Sequence, residues 1–486
     1  MTEMDLAQLA AIVGERNVLT EPQDMAGHLI DWRARFRGKA AAVVRPANTQ
    51  EVSALMAWAT ANRCVVVPQG GNTGLNGGAI PDESGKQLIL ALGRMRSVRS
   101  IDPINDTIVV DAGCTLSEVQ AAAEEAGRLF PLSLGSEGTC QIGGNIATNA
   151  GGLEVLRYGS TRELVLGLEV VLANGDVLAQ MPELRKNNTG YDLKQLFIGS
   201  EGTLGIITGA VLKLFPRPRS IATALCGLAS PEAALSVLER LKFDCGPRLS
   251  TFEIMSGLQM DVIVDHKGGG LPLSERHSWY LLIEATEPAN DEGLGDRLMQ
   301  SLADCMEMGA LADAVVAQTE AQRAAFWSLR HIVAESNNRA GRALSHDTSV
   351  PVSRNADFIR GVEAAFADRA DLKVTFVGHL GDGNVHAVAI FDRGLVPDAE
   401  FEVRAKLVSN EIYKIAASLG GSISAEHGIG QSLRDRLPLF KDPRELDLMM
   451  SIKKVFDPLC ILNPGKVLRT GVNSVHQASE VDRLLA

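Results

Sequence analysis

His379 and His386 lie seven residues apart around Leu380-Gly381-Asp382-Gly383-Asn384, and imidazoles at that spacing can share one divalent ion if the chain between them reverses. The local composition favours reversal. Val374, Phe376 and Val377 before it, and Val385, Val388 and Ile390 after it, are β-formers, whereas Gly381-Asp382-Gly383-Asn384 tolerates positive φ. A continuous helix would also align residues seven apart, but two glycines with Asp and Asn in its middle argue against one. A hairpin is therefore predicted, with His379 ending one strand and His386 opening the next. Downstream, Ser424-Ala425-Glu426-His427-Gly428-Ile429-Gly430 offers a carboxylate and a further imidazole beside glycines that permit close backbone approach. An isolated histidine is ordinarily a surface or satisfied core residue, and His331 and His346 are read that way. Asp382 is read as a turn former.

Three glycine clusters would have to be placed by an α/β framework. Ala42-Val43-Val44 reads as a strand, a helix opens at Asn48 or Thr49 and runs through Ala61, and Cys64–Pro68 reads as a buried strand. That strand enters Gln69-Gly70-Gly71-Asn72-Thr73-Gly74, whose successive N–H groups suit phosphate oxygens. The loop is neither a Walker A motif nor GxGxxG. Strands follow at Leu88–Leu90 and Thr107–Asp111, with a helix from Ser117 to Ala126. The second cluster runs from Gly135 to Gly152, and small side chains over such a length let a large flat ligand lie against the main chain. A flexible linker is the alternative, but linkers are richer in serine and charge. A hairpin with a type I′ turn at Asn174-Gly175 is predicted next. The third cluster is Gly199–Ile207, and Pro216 and Pro218 close this part of the chain. Beyond them the predicted order is strand 223–228, helix 231–242, strand 279–285, helix 297–308, strand 314–318 and helix 320–338, with helices packed on one side of the strands.

At 486 residues the chain is long enough for two or three domains. Its charge, 47 − 59 = −12, argues against a nucleic-acid surface. Seven cysteines, none in a CxxC pair, read as reduced thiols. With no signal-like N-terminus and no long apolar run, the expected location is cytoplasmic, without a transmembrane segment.

Together the three glycine clusters, the twin-histidine hairpin, Glu426-His427 and Asn463-Pro464-Gly465-Lys466 resemble flavoproteins of the vanillyl-alcohol-oxidase type, and within them the D-2-hydroxyacid dehydrogenases acting on D-2-hydroxyglutarate or D-lactate. The resemblance covers about residues 40 to 470. It implies an α+β fold: N-terminal helices over 1–40, a two-lobed FAD-binding domain over 41–218, a sheet-based substrate (cap) domain over 219–418, and a helical C-terminal segment over 419–486 closing the active site. By the same likeness Gln69, Gly70, Gly71, Asn72, Thr73 and Gly74 take the FAD pyrophosphate. Leu134, Gly135, Gly138, Thr139, Ile142, Gly143, Asn145, Thr148, Asn149 and Gly151, then Glu201, Gly202, Gly205, Ile206, Ile207 and Asn463, line the rest of the cofactor. Asn72 stands where covalently flavinylated relatives carry a histidine, so the FAD is expected to be non-covalent.

Two imidazoles and the Glu426 carboxylate form a three-ligand set with an open position, suited to catalytic Zn2+ or Mn2+. His427 is then the general base for the 2-hydroxyl and hydride leaves C2 for flavin N5. Arg330, in Phe326-Trp327-Ser328-Leu329-Arg330, matches the family's arginine for the substrate carboxylate. Ala334 and Ser345 occupy positions where the D-2-hydroxyglutarate enzymes place a threonine and a lysine, so D-lactate-like substrates stand beside D-2-hydroxyglutarate and D-malate, with Arg339 or Arg342 as substitutes for the lysine. The resemblance implies an acceptor protein or quinone as electron acceptor; the oligomeric state, a homodimer included, is left open. The competing classes are a metal-dependent hydrolase, an FAD oxidase using O2, and a non-catalytic nucleotide-binding module. Three glycine clusters argue against the hydrolase, and His427 with Arg330 against the module.

Overall fold

The computed structural model describes residues 2–469, and the chain divides into two compact units. Of the described residues, the first takes in those up to Gly151, Ser160–Pro216 and Glu426–Arg469; the second takes in Gly152–Gly159 and Arg217–Ala425. The described N-terminal residues and those from Glu426 to Arg469 are thus built into the first unit.

Besides a two-stranded pair of Arg128–Leu129 with Phe215–Pro216, the first unit holds two larger sheets. One orders its strands Val18–Leu19, Ala40–Val44, Gln87–Ala91, Val66–Gln69. Gln87–Ala91 is buried at every position and pairs in parallel with both neighbours, the apolar texture a covered parallel strand requires. The other is antiparallel, ordered Val98–Asp102, Thr107–Asp111, Ile206–Lys213, Val165–Val171, Val177–Gln180. The helix Thr49–Ala61 starts where predicted, with the Asn48 side chain accepting from Glu51 N–H. Between Val171 and Val177 only Gly175 takes a positive φ, +91°, so the predicted type I′ turn is not formed. Nor is the second glycine cluster all loop, since Ile142–Ala147 is helical.

The second unit is built on one antiparallel sheet of seven strands: β1 Ser220–Leu228, β2 Leu249–Ser256, β3 Trp279–Glu287, β4 Asp313–Val316, β5 Arg342–Ser349, β6 Leu372–His379 and β7 Asn384–Phe391. Their order across the sheet is β4-β1-β3-β2-β6-β7-β5. Alternation along each strand splits the apolar side chains between two cores. Phe252, Ile254, Phe376, Ala387 and Ala389 join the helices Pro231–Cys245, Leu294–Glu307, Asn355–Phe366 and Asp398–Ser418 on one face. Met255, Val377, Val388 and Ile390 meet the helices Gly257–Lys267, Glu320–His331 and Val333–Ala340 on the other. This corrects the one-sided packing predicted above. Strand β2 and the helix after it, unforeseen in sequence, supply part of the second face, and the predicted helix 320–338 is broken at Ile332.

The cysteines are unpaired, as expected of reduced thiols. Among the described residues no helix is long and apolar enough to cross a membrane.

Candidate active site

The predicted hairpin is present. Strands β6 and β7 pair from Leu372↔Phe391 to His379↔Asn384, and the reversal falls at 380–383 with Gly383 at φ +95°. A Cβ on Gly383 would lie 2.4 Å from the Val350 carbonyl oxygen, so the turn needs glycine for both conformation and space. Asp382 behaves as a turn former, its Oδ1 accepting from Asn384 N–H at 3.0 Å.

The register sets which side chains can meet. His379 stands opposite Asn384, two residues from His386, so the two imidazoles are diagonal neighbours on one face of the sheet. Their ring centroids are 6.0 Å apart and the rings are nearly perpendicular, at 80°. On the outer sides, Glu253 of β2 pairs directly with His379, and Asp347 of β5 pairs directly with His386. Glu253, His379, His386 and Asp347 therefore form a row across four adjacent strands, on the face that also carries Val377 and Val388.

The two carboxylates differ in their engagement. Glu253 is fully buried; its Oε1 accepts from His379 Nδ1 and its Oε2 from Arg330 Nε, the latter at 2.7 Å. Burial pushes this carboxyl upward, but His379 and Arg330 outweigh it and hold the group at about 2. Asp347 lies 3.8 Å from His386 Nδ1, beyond hydrogen-bond range. Its Oδ1 accepts from Asn384 Nδ2 at 3.1 Å and its Oδ2 from Ala425 N–H at 3.1 Å.

Arg330 is aimed by the helix Glu320–His331, whose face is anchored on two buried acids. Arg323 and Trp327 Nε1 each donate to Glu284 Oε2 at 2.9 Å, and Arg330 follows on the same face to reach Glu253. His346 is a satisfied core histidine, with Nδ1 2.9 Å from Ala387 O and Nε2 2.9 Å from Ser409 Oγ. Arg339 and Arg342 do not come to the histidines. Arg342 pairs with Phe391, five residues along β5 from Asp347 or about 16 Å at strand rise, and its guanidinium takes Asp398 and covers the Phe401 ring. Arg339 contacts His266 at 3.3 Å in a groove with Lys373 and Asp392. The expectation that either replaces the missing lysine is thereby corrected.

Glu426 and His427 belong to the first unit, where their loop is clamped. Asn76 Nδ2 donates to the carbonyls of His427 and Gly428, and the carboxylate of half-buried Glu201 accepts from Ile429 and Gly430 N–H at 2.7 and 2.9 Å. Burial pushes Glu201 up to about 7, and neighbouring Lys466, which is buried, is pushed down to about 8. The Glu426 side chain packs on Gly151, where an added Cβ would lie 3.3 Å from its Cγ.

The residues expected to hold FAD fall into two sets. Gln69, Asn72, Asn145, Asn149 and Glu201 commit their side chains to protein partners: Gln69 to His28 and Ala79, Asn72 to Gly27 and Ile30, Asn145 to Cys140, Asn149 to Ser160 and Arg162. They shape the loops. Gly202, Gly205, Ile206 and Ile207 pack tightly, an added Cβ on Gly205 meeting Val170 Cγ1 at 2.5 Å. The other set offers main chain. Among the described residues no N–H from Gly70 to Asn76, nor from Gly135 to Gly138, donates to a protein acceptor, and a Cβ on Gly74, Gly135 or Gly138 would meet nothing within 4 Å. Gln141 Oε1 and Asn463 Oδ1 are buried acceptors without a protein donor, beside the first loop: Gln141 against Gly70, and Asn463 held by the Gly78 carbonyl at 2.9 Å. Two runs of N–H groups, open space over glycine and orphaned acceptors are what a dinucleotide with a pyrophosphate and a hydrogen-bonding ring requires, so the residues fit FAD. The donor set in the sheet fits a divalent ion equally: if His379 Nδ1 carries the proton given to Glu253, Nε2 carries the lone pair.

Sequence reasoning missed Glu253, Asp347 and Asn384. A faint signal existed, since Leu249–Ser256 is an apolar strand interrupted by one acidic residue.

Comparison with known proteins gives a consistent picture. Residues 40–179 match the FAD binding domain family and residues 217–467 match the C-terminal domain of FAD linked oxidases. The mitochondrial D-2-hydroxyglutarate dehydrogenase of Arabidopsis thaliana is 38% identical over 470 residues, 96% of this chain and 81% of the relative. The D-2-hydroxyglutarate dehydrogenase of Xanthomonas citri pv. viticola is 36% identical over 471 residues, 97% of this chain and 98% of the relative. Among solved structures, p-cresol methylhydroxylase with substrate bound superposes with a TM-score of 0.73 at 16% identity, over 97% of this chain and 98% of that one, which shows the fold.

Proposed function

The chain belongs to the FAD-linked oxidases, as an FAD-dependent D-2-hydroxyacid dehydrogenase of the vanillyl-alcohol-oxidase fold type, and from that membership we propose metal-assisted oxidation of a D-2-hydroxy acid to the 2-oxo acid. The observation that carries the reading is the row Glu253, His379, His386, Asp347 on one face of the sheet, with Arg330 delivered to its end. When bound, non-covalent FAD supplies the hydride acceptor at N5, and Zn2+ or Mn2+ supplies the Lewis acidity that lowers the pKa of the substrate hydroxyl.

In this reading His379 and His386 hold the metal and Glu426 is its third protein ligand. Support for Glu426 comes from the chain itself: Ala425, its predecessor, has its N–H fixed by Asp347, the partner of His386. His427, next in sequence, accepts the proton of the 2-hydroxyl, and the clamp of Asn76 and Glu201 keeps it in place. Arg330 gives Nε to Glu253, so its terminal N–H groups are those offered to the substrate carboxylate. The main-chain N–H groups of Gly70–Asn76 and Gly135–Gly138 take the cofactor's phosphate and ring acceptors. An acceptor protein or a quinone reoxidises the flavin.

The relatives' names nominate D-2-hydroxyglutarate. Ser345 nominates a less charged substrate end, because it shares the face of Asp347 and His386 and offers a hydroxyl where a cation would be needed. The test is anaerobic mixing of the purified protein with D-lactate, D-malate, D-2-hydroxyglutarate and their L-enantiomers, with and without EDTA, following flavin absorbance. Bleaching by a D-acid that chelation abolishes is expected, and the fastest acid names the substrate. Bleaching that survives chelation removes the metal from the mechanism, and a protein without flavin absorbance refutes the reading.

A further inference from the structure

The row of side chains contains a carboxylate that nothing in the proposed chemistry uses directly. Glu253 sits in the middle of a strand buried at all positions, between β3 and β6, where an ionised group persists only if it is fully paired. Its two oxygens go to different functions: Oε1 to the Nδ1 of one metal-ligating imidazole, Oε2 to the Nε of the guanidinium offered to substrate. Asp347, on the other side of the row, lies 3.8 Å from His386 Nδ1, and its oxygens accept from Asn384 and Ala425.

We propose that Glu253 is a positioning residue that couples the metal site to the substrate-carboxylate site, fixing the tautomer and plane of His379 with one oxygen and the plane of Arg330 with the other. The inference rests on the proposed metal reading and deepens it. Directly opposite His379 in the ladder, Glu253 is held by backbone pairing and cannot follow one partner without leaving the other. A hydrogen bond to Nδ1 keeps Nε2 basic and directed, the role that an outer carboxylate plays for a ligating histidine. A hydrogen bond to Nε leaves the planar end of Arg330 in one orientation, so that its remaining N–H groups meet a carboxylate bidentately. A structural alternative assigns Glu253 only to neutralising Arg330 beneath the helix Glu320–His331. The two differ in what happens to the metal.

The experiment uses the FAD-loaded protein stripped of metal by a chelator and titrated with Zn2+ alone against a chromophoric competitor, the relevant step being that lost in His386→Ala. Wild type, Glu253→Gln, Arg330→Met and the double variant Glu253→Gln/Arg330→Met are compared, with FAD content and the KM for the best D-2-hydroxy acid. The double variant buries no unpaired charge and so remains informative if Glu253→Gln alone fails to fold. Coupling predicts zinc binding weaker by about 10- to 100-fold in both Glu253→Gln proteins. Arg330→Met, in which Glu253 keeps His379 but loses its other partner, should bind zinc more tightly than either Glu253→Gln protein while its KM rises, and FAD content should stay constant throughout. Zinc affinity in the double variant equal to that of Arg330→Met overturns the coupling and leaves the metal reading intact. A wild type with no zinc step sensitive to His386→Ala overturns the metal reading and the coupling with it.

Discussion

Replacing Glu201 by Gln should abolish a pH dependence of stability that the wild type carries between about pH 4.5 and 7. Burial raises the folded pKa to about 7 from 4.5, so across that window the folded chain keeps a proton that the unfolded chain has released. The sign follows: this group's contribution is fully present below pH 4.5 and is lost as pH rises through about 7. The shift, 7 − 4.5 = 2.5 units, corresponds to about 3 kcal/mol. Glutamine cannot ionise, so the wild-type-minus-variant difference in unfolding free energy should fall by that amount from pH 4.5 to 8. Guanidinium midpoints at a series of pH values, with FAD concentration held constant, measure it. Glutamine also turns an N–H toward Ile429 or Gly430, which orphans one donor at about 1–3 kcal/mol independently of pH. Because that loop carries Glu426 and His427, a shift near 1 Å should lower kcat by up to about a hundredfold. A wild-type-minus-variant difference that stays constant with pH would refute the assignment of a raised carboxyl at Glu201.

Gly71→Ala should reduce FAD content and stability together, since the new Cβ would fall 1.9 Å from the Thr139 carbonyl oxygen; the ratio of flavin to protein absorbance and a thermal midpoint report it. Asp347→Asn should keep the contact to Asn384 or to Ala425 but not both, weakening zinc binding by about tenfold with FAD content unchanged. Arg342→Ala should leave the KM for D-malate and D-2-hydroxyglutarate unchanged, because Asp398 and Phe401 already hold that guanidinium; steady-state kinetics on both acids decide.

What the sequence by itself determined is local. The hairpin followed from β-formers around Gly381-Asp382-Gly383, and residues on its two strands must face each other when the turn between them is short. The glycine loops followed from composition, because exposed N–H groups need only a chain without side chains in the way. The helix after Asn48 followed from its cap. Only the tertiary structure decided who stands beside the hairpin. Sheet order is non-local: β2, 126 residues before His379, and β5, 39 residues before His386, take their places through pairing that no periodicity announces. Of the helices on the second face only Gly257–Lys267, which follows β2, went unforeseen, while the helix predicted over 320–338 could not be assigned its face from sequence; the same non-local pairing puts Arg342, on the right strand, at its wrong end. A strand pattern tells which residues share a face, whereas neighbours and register are set by the whole sheet burying its two cores at once, and it is this that placed Glu253 between His379 and Arg330.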